Sequence, residues 1–122
     1  MKFAFNFDAT DHIFYKYYTG MVSFSDFVSS WQYIISNNFL PSDAKGILLD
    51  YRKAIILSPI DEALKVSDYF SVNGNIFQHK KIAFVTQTPE QIILPILIQE
   101  HNETNQSRPF STVEAAVRWI TS

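Results

Sequence analysis

Phe3, Phe5 and Phe7 alternate with Lys2, Ala4 and Asn6, the two-residue period of a strand with one buried face. Asp8-Ala9-Thr10-Asp11 supplies turn chemistry. The aromatic run His12–Thr19 predicts a second strand, and so short a link implies an antiparallel hairpin. After Gly20 the period lengthens to that of a helix. Phe24, Phe27, Val28, Trp31, Ile34 and Ile35 make one apolar stripe, which Asn37, Asn38 and Pro41 bring to an end. Gly46–Tyr51 is a short apolar run of the kind buried on both faces of a parallel sheet. A second helix is predicted from Pro59 to about Val72, with Ile60, Ala63, Leu64, Ser67 and Phe70 inward, and Lys80–Thr86 is a further buried strand. Pro89 to about Glu100 predicts a third helix, His101–Gln106 a polar loop, and Arg108–Phe110 a very short strand. A last helix runs from Thr112 to about Thr121, with Val113, Ala116, Val117 and Ile120 on one face.

The helix starts share a signature. Ser23, Ser58, Thr88 and Ser111 each stand three residues before Asp26, Asp61, Gln91 and Glu114. In such a box the hydroxyl accepts a bond from an unpaired backbone N–H, and the later side chain reaches back to another. Pro59 and Pro89 occupy the first helical position, where a missing N–H costs nothing. The resulting order, with strands alternating with helices after a hairpin, predicts one α/β domain over residues 1–122. Its sheet is mixed but mainly parallel, with four to five strands and four helices, and is covered on both faces.

Composition agrees with a packed domain: 122 residues, 47% hydrophobic and 18% charged. The absence of cysteine excludes disulfides and thiolate chemistry. A net charge of −2, with the ten lysines and arginines scattered, argues against a nucleic-acid partner. No run is long enough for a membrane span and none at the N-terminus suits a signal peptide, so a cytoplasmic location is expected.

Little in the chain points to chemistry. Gly20, Gly46 and Gly74 are isolated, whereas a phosphate-cradling loop needs clustered glycines; no cofactor is expected. His12, His79 and His101 have no second ligand at helical spacing, so no metal is expected. No serine sits in a nucleophile-elbow context, and no catalytic residue is assigned. One place invites a ligand. Beyond the carboxyl ends of parallel strands, where helix N-termini also point, a crevice would be lined by Asp50, Arg52, Ser58, Gln87 and Thr88. The competing reading is structural: Asp50 and Arg52 pair locally while Ser58 and Thr88 cap their helices. The third helix is unusual, being apolar nearly all round and interrupted by Pro95. Either it is deeply buried, or Ile92, Ile93, Ile96 and Leu97 meet a partner chain or an apolar ligand.

Gly20 with the helix after it, Ile47–Arg52, Lys81–Val85 and Phe110–Ile120 together resemble the SpoIIAA-like family, grouped with STAS and SEC14-type (CRAL-TRIO) domains, and especially its single-domain bacterial members. The closing Phe110, the acidic-Ala helix and Trp119-Ile120 carry the resemblance furthest. It implies an α/β sandwich with a mixed sheet and a regulatory or ligand-binding role rather than catalysis. STAS regulators of the anti-sigma-antagonist type carry a phosphorylated serine in an Asp-Ser-Ser-Gly segment opening the second helix. The equivalent stretch here, Ile55–Asp61, has no such tetrapeptide, and Ser58 is its only hydroxyl and sole possible phosphosite. The expectation is a non-enzymatic STAS-like regulatory or protein-interaction module, with a protein partner or a homodimer through the third helix. The alternative is a binding protein or sensor for a small apolar ligand or lipid.

Overall fold

The computed structural model describes residues 2–101 and 106–122. The hairpin forms as its alternation predicts, with β1 (Phe3–Asp8) antiparallel to β2 (Ile13–Val22) and Phe3 opposite Tyr18. Then follow α1 (Phe24–Ser36), β3 (Gly46–Ile56), α2 (Pro59–Val72), the short α3 (Gly74–Phe77), β4 (Lys81–Val85), α4 (Pro89–His101), β5 (Gln106–Phe110) and α5 (Val113–Ile120). The strands lie side by side in chain order, β1 to β5, and every pairing after the hairpin is parallel. Gly46 to Asp50 run co-directionally beside Lys81 to Val85.

Several elements depart from their predicted bounds. Gly20 does not end β2: it sits inside the strand at φ 75°, just past an irregularity between Tyr17 and Thr19. β3 likewise continues through Arg52 and Lys53 to Ile56, so β2 and β3 form a two-stranded overhang beyond the end of β4. α3 is a fifth helix, of four residues, too short for any apolar period to announce it. His101 belongs to α4 and Gln106 opens β5; the rest of the loop predicted there lies outside the described residues. Pro95 is buried within a helix that runs on through it.

Two cores flank the sheet. Phe27, Trp31 and Ile34 of α1, Ala63, Val66 and Phe70 of α2, Phe77 of α3 and Leu94 and Ile98 of α4 all pack on one face, against Phe14, Ile47, Leu49, Tyr51, Ile82 and Phe84. On the other face, among the described residues, α5 is the one helix, its Ala116 and Ile120 closing over Ile13, Leu48, Ala83 and Val85. Both faces are thus covered, but unequally. The cause is the strand order. Crossovers of one hand that always step in the same direction place every connecting helix on the same side, and α5, which follows β5 and is not a crossover between these strands, takes the other. It packs so closely that a side chain on Gly46 would lie 2.5 Å from the Cγ2 of Ile120 and 2.8 Å from the Lys81 carbonyl.

The helix starts divide. Ser23 makes the full reciprocal box with Asp26, and Thr88 with Gln91 does the same. α5 is capped by Thr112, not Ser111: its hydroxyl accepts from the Ala115 N–H at 3.1 Å. Ser58 caps nothing. Its backbone is left-handed, φ 52° and ψ 60°, and its side chain makes no cap bond. A capping residue needs extended backbone to aim its oxygen at the helix, and the turn out of β3 denies it. The inward stripe of α2 is also rotated from the predicted one: Ala63, Ser67 and Phe70 are buried with Val66, while Ile60 and Leu64 are exposed.

Candidate functional site

Asp50 and Arg52 leave β3 on the sheet face that α5 covers only in part. Arg52 donates from Nε to Asp50 Oδ1 at 3.0 Å and from Nη2 to Oδ2 at 2.8 Å, and its backbone N–H donates to Oδ1 at 3.0 Å. Burial of Asp50 makes this fork-to-fork pair a fixed structure rather than a loose surface contact. The bonds to Asp50 hold the guanidinium still more firmly protonated. With Tyr17, Tyr18, Thr19 and Lys53 the pair lines an open recess of about 310 Å³. Burial, and then the charge of Asp50, push the Tyr17 phenol up.

Gln87 and Thr88 lie elsewhere. They line a second recess, about 560 Å³, with Thr86, Pro89, Ile92, Pro109, Phe110 and Ser111 at the ends of β4 and β5. Ser58 belongs to neither. The expected single crevice is therefore two recesses and a detached serine. A sheet whose order runs straight from one edge to the other contains no reversal, and it is the reversal that opens a crevice in doubly wound sheets.

The backbone donors an anion would use at α4 are also occupied. Gln91 Oε1 accepts from the Gln87 N–H at 2.7 Å and the Thr88 N–H at 3.1 Å, while the Gln91 N–H donates to Thr88 Oγ1. From the same buried side chain Nε2 donates to the Ala54 carbonyl at 2.8 Å and to the Arg52 carbonyl at 3.4 Å. Gln91 thereby seals the edge of the β3 overhang that no strand covers. His12 and His79 adopt left-handed turns, and His12 Nδ1 lies 3.5 Å from Asp43 Oδ2. Among the described residues no three metal-ligating side chains come together.

A charged residue that the reading of the sequence passed over lies in the main core. Lys16 is fully buried, its Nζ 4.1 Å from the Trp31 ring centre, 4.6 Å from Tyr18, and 5.4 and 5.5 Å from Phe3 and Phe27. The amine donates to Ser30 Oγ, whose own hydroxyl donates to the Phe27 carbonyl. Four rings offer a cation about 0.5 to 2 kcal/mol each. Desolvating an ammonium with no counter-charge costs several kcal/mol and weighs against that gain. Burial accordingly holds the amine well below the usual lysine range. The signal was present in the sequence, since Lys16 shares the inward parity of Phe14 and Tyr18.

The outer surface of α2 and α4 carries exposed apolar side chains among charged ones, Asp61, Lys65 and Asp68 on α2 and Glu90 and Glu100 on α4. On α2, Lys65 lies over Phe24 and Tyr69 packs edge-on against Phe27, so that flank faces α1. With about 100° per residue, Ile60 and Leu64 fall on the opposite flank, toward α4, and stand 65% and 52% exposed. On α4, Ile92 and Ile96 are exposed, Ile93 is half-buried, and Leu97 packs partly on the core. The helix is therefore neither wholly interior nor a free-standing apolar rod.

A five-stranded mixed sheet in chain order, with connecting helices on one face and a closing helix on the other, is a SpoIIAA-like fold. A solved structure that this chain resembles is an uncharacterised protein of the DUF3478 family with a SpoIIAA-like fold, from Shewanella loihica PV-4. The two superimpose with a TM-score of 0.65 over 97% of this chain and 93% of the other, at 14% sequence identity, which makes the likeness one of fold. No family model matches the chain, and no curated protein does. No helix among the described residues is long and apolar enough to cross a membrane.

Proposed function

We propose that this protein is a non-enzymatic, STAS-like regulatory module that works by binding another protein, presenting the α2–α4 flank to it. The observation that carries this reading is that Ile60 and Leu64 on α2 and Ile92 and Ile96 on α4, two helices that pack together, all stand exposed. A surface that gathers such aliphatic side chains on neighbouring helices is of the kind ordinarily retained for a partner. The polar groups argue the same way, because Asp50, Arg52, Thr88 and Gln91 spend their hydrogen bonds on one another and on the backbone. Regulation by a phosphate on Ser58 has a weaker basis, although the residue is exposed at the start of α2.

The alternative, a carrier of a small apolar ligand, would use the crevice between α1 and α2 walled by Phe24, Phe27, Tyr51, Val66 and Leu94. Its volume is about 10 Å³, room for roughly one water, while the neighbouring recess lined by Phe24, Lys65, Tyr69 and Val72 holds about 290 Å³ but lies open at the surface; neither encloses a ligand, which favours the interaction reading. A photo-crosslinking side chain at position 60, compared with one at Arg118 on α5, tests it in cells. A discrete adduct from position 60, absent at 118 and lost with Leu64→Asp, is expected. Equal labelling from both positions would remove the basis for the proposal.

A further inference from the structure

β1 ends the sheet, and the hydrogen bonds of the hairpin decide what it shows to the outside. The Thr19 N–H donates to the Lys2 carbonyl at 2.9 Å. Bonded and non-bonded pairs alternate along an antiparallel ladder, so Ala4 with Tyr17 and Asn6 with Tyr15 are also bonded pairs. The N–H and C=O groups of Phe3, Phe5 and Phe7 therefore point away from β2, and among the described residues no strand pairs with that edge. Edge strands ordinarily carry a proline, a bulge or an inward charge that blocks further pairing. At the opposite edge, β5 has Arg108 and Pro109; Phe3 to Phe7 has none of these.

The edge is also bordered by exposed aromatic surface. Tyr33 and Phe39 stand 43% and 42% exposed, 5.8 Å apart, with Phe39 5.3 Å from Phe5 and Tyr33 6.2 Å from Phe3. Thus a row of unpaired backbone groups and a group of partly uncovered rings adjoin.

We infer that a second copy of this chain pairs antiparallel with β1, joining two five-stranded sheets into one. The strand is complementary to itself in one register. With Phe5 opposite the second copy's Phe5, Phe3 meets the second copy's Phe7, and the three residues with free backbone groups face one another. This supplies about six backbone hydrogen bonds. In the same register Lys2, whose ammonium pairs with Asp26 of its own chain at 3.2 Å, falls opposite the second copy's Asp8, twice by symmetry, so that opposite charges meet at both strand ends. Directly opposed aromatic side chains on one face add to the pairing, and Tyr33 and Phe39 lie beside the junction. The inference is independent of the α2–α4 flank.

The absence of cysteine makes the register directly testable. Ala4 and Asn6 are exposed, and the pairing sets Ala4 opposite the second copy's Asn6 as a close, non-bonded pair suited to a disulfide. Under mild oxidation, a mixture of Ala4→Cys and Asn6→Cys proteins should give a covalent heterodimer far in excess of either protein alone. Sedimentation should show a wild-type dimer whose Kd rises about tenfold in Lys2→Asp, and a mixture of Lys2→Asp with Asp8→Lys should recover association. A strict monomer at high micromolar concentration would overturn the inference. So would a dimer indifferent to Lys2→Asp whose mixed cysteine proteins do not cross-link, since that dimer would use another face.

Discussion

Gln91 and Ala54 are joined across 37 residues of sequence by a 2.8 Å bond from amide nitrogen to carbonyl. The same glutamine caps α4 with its oxygen, so one buried side chain both starts a helix and finishes a strand. Gln91→Glu separates the two tasks. The acceptor oxygens remain, but a carboxylate cannot donate to Ala54 and Arg52, and their carbonyls lose their partner. The expected cost is about 3 kcal/mol in urea unfolding at neutral pH. A variant as stable as wild type would show that the bonds to β3 contribute nothing.

Lys16 predicts an unusual pH profile. An unfolded lysine keeps its proton to about pH 10.4, whereas the folded amine, held down by burial, releases it well below. Between those limits the unfolded chain binds more protons, so stability rises with pH. Near pH 10 the trend reverses, because burial pushes the Tyr18 and Tyr51 phenols up and they keep protons that the unfolded chain gives away. Lys80, also held down by burial, adds a slope of the same sign as Lys16, so the difference between variants is what isolates the core amine. Lys16→Met should flatten the climb between neutrality and about pH 9.5 in urea titrations. Parallel curves for the two proteins would exclude the role.

Ser58 and Ser23 look alike in sequence and should differ in energy. Ser23→Ala removes a working cap and should cost about 1 kcal/mol. Ser58→Ala removes no bond and should fall within about 0.5 kcal/mol of wild type. Ser58→Gly, which relieves a left-handed backbone, should stabilise by about 1 kcal/mol. Thermal unfolding of the three variants checks the ranking; equal losses from the two alanine variants would return Ser58 to a capping role.

Gly46 is fixed by what lies over it. Gly46→Ala places a methyl against Ile120 and the Lys81 backbone and should cost about 1 to 3 kcal/mol. Combined with Ile120→Ala, the loss should be smaller than the sum of the two, since the trimmed side chain no longer resists. Strict additivity would mean that the strain lies wholly against the backbone oxygen.

What could be read in the sequence follows a physical division. The hairpin, the α1 cap at Ser23 and the inward stripes of α1 and α5 depend on neighbours within a few residues, and all are found as expected. Ser58 misled because Ser-Pro-x-Asp spells a cap whichever way the backbone turns, and the turn is set by the length of β3. On α2 the apolar positions spread over too wide an arc for periodicity to choose the buried flank, so Ile60 and Leu64 were placed inward. The Asp50–Arg52 pair was foreseen as the structural alternative because it spans two residues. The single crevice was not realised, since whether Asp50 and Thr88 share a recess depends on strand order, which no local pattern encodes. Gln91 was read as half of a box; its second task depends on a strand far away in the chain.

Because the sheet is laid down in chain order, each strand leaving the ribosome meets its neighbour already in place, and little must wait for distant segments. The exception is the second core. Ile13, Leu48, Ala83 and Val85 belong to strands made early, yet their cover, α5, comes after all five strands. Until its Ala116 and Ile120 dock, the nascent chain presents a bare greasy floor, and a premature stop before Val113 would leave that floor permanently open to aggregation.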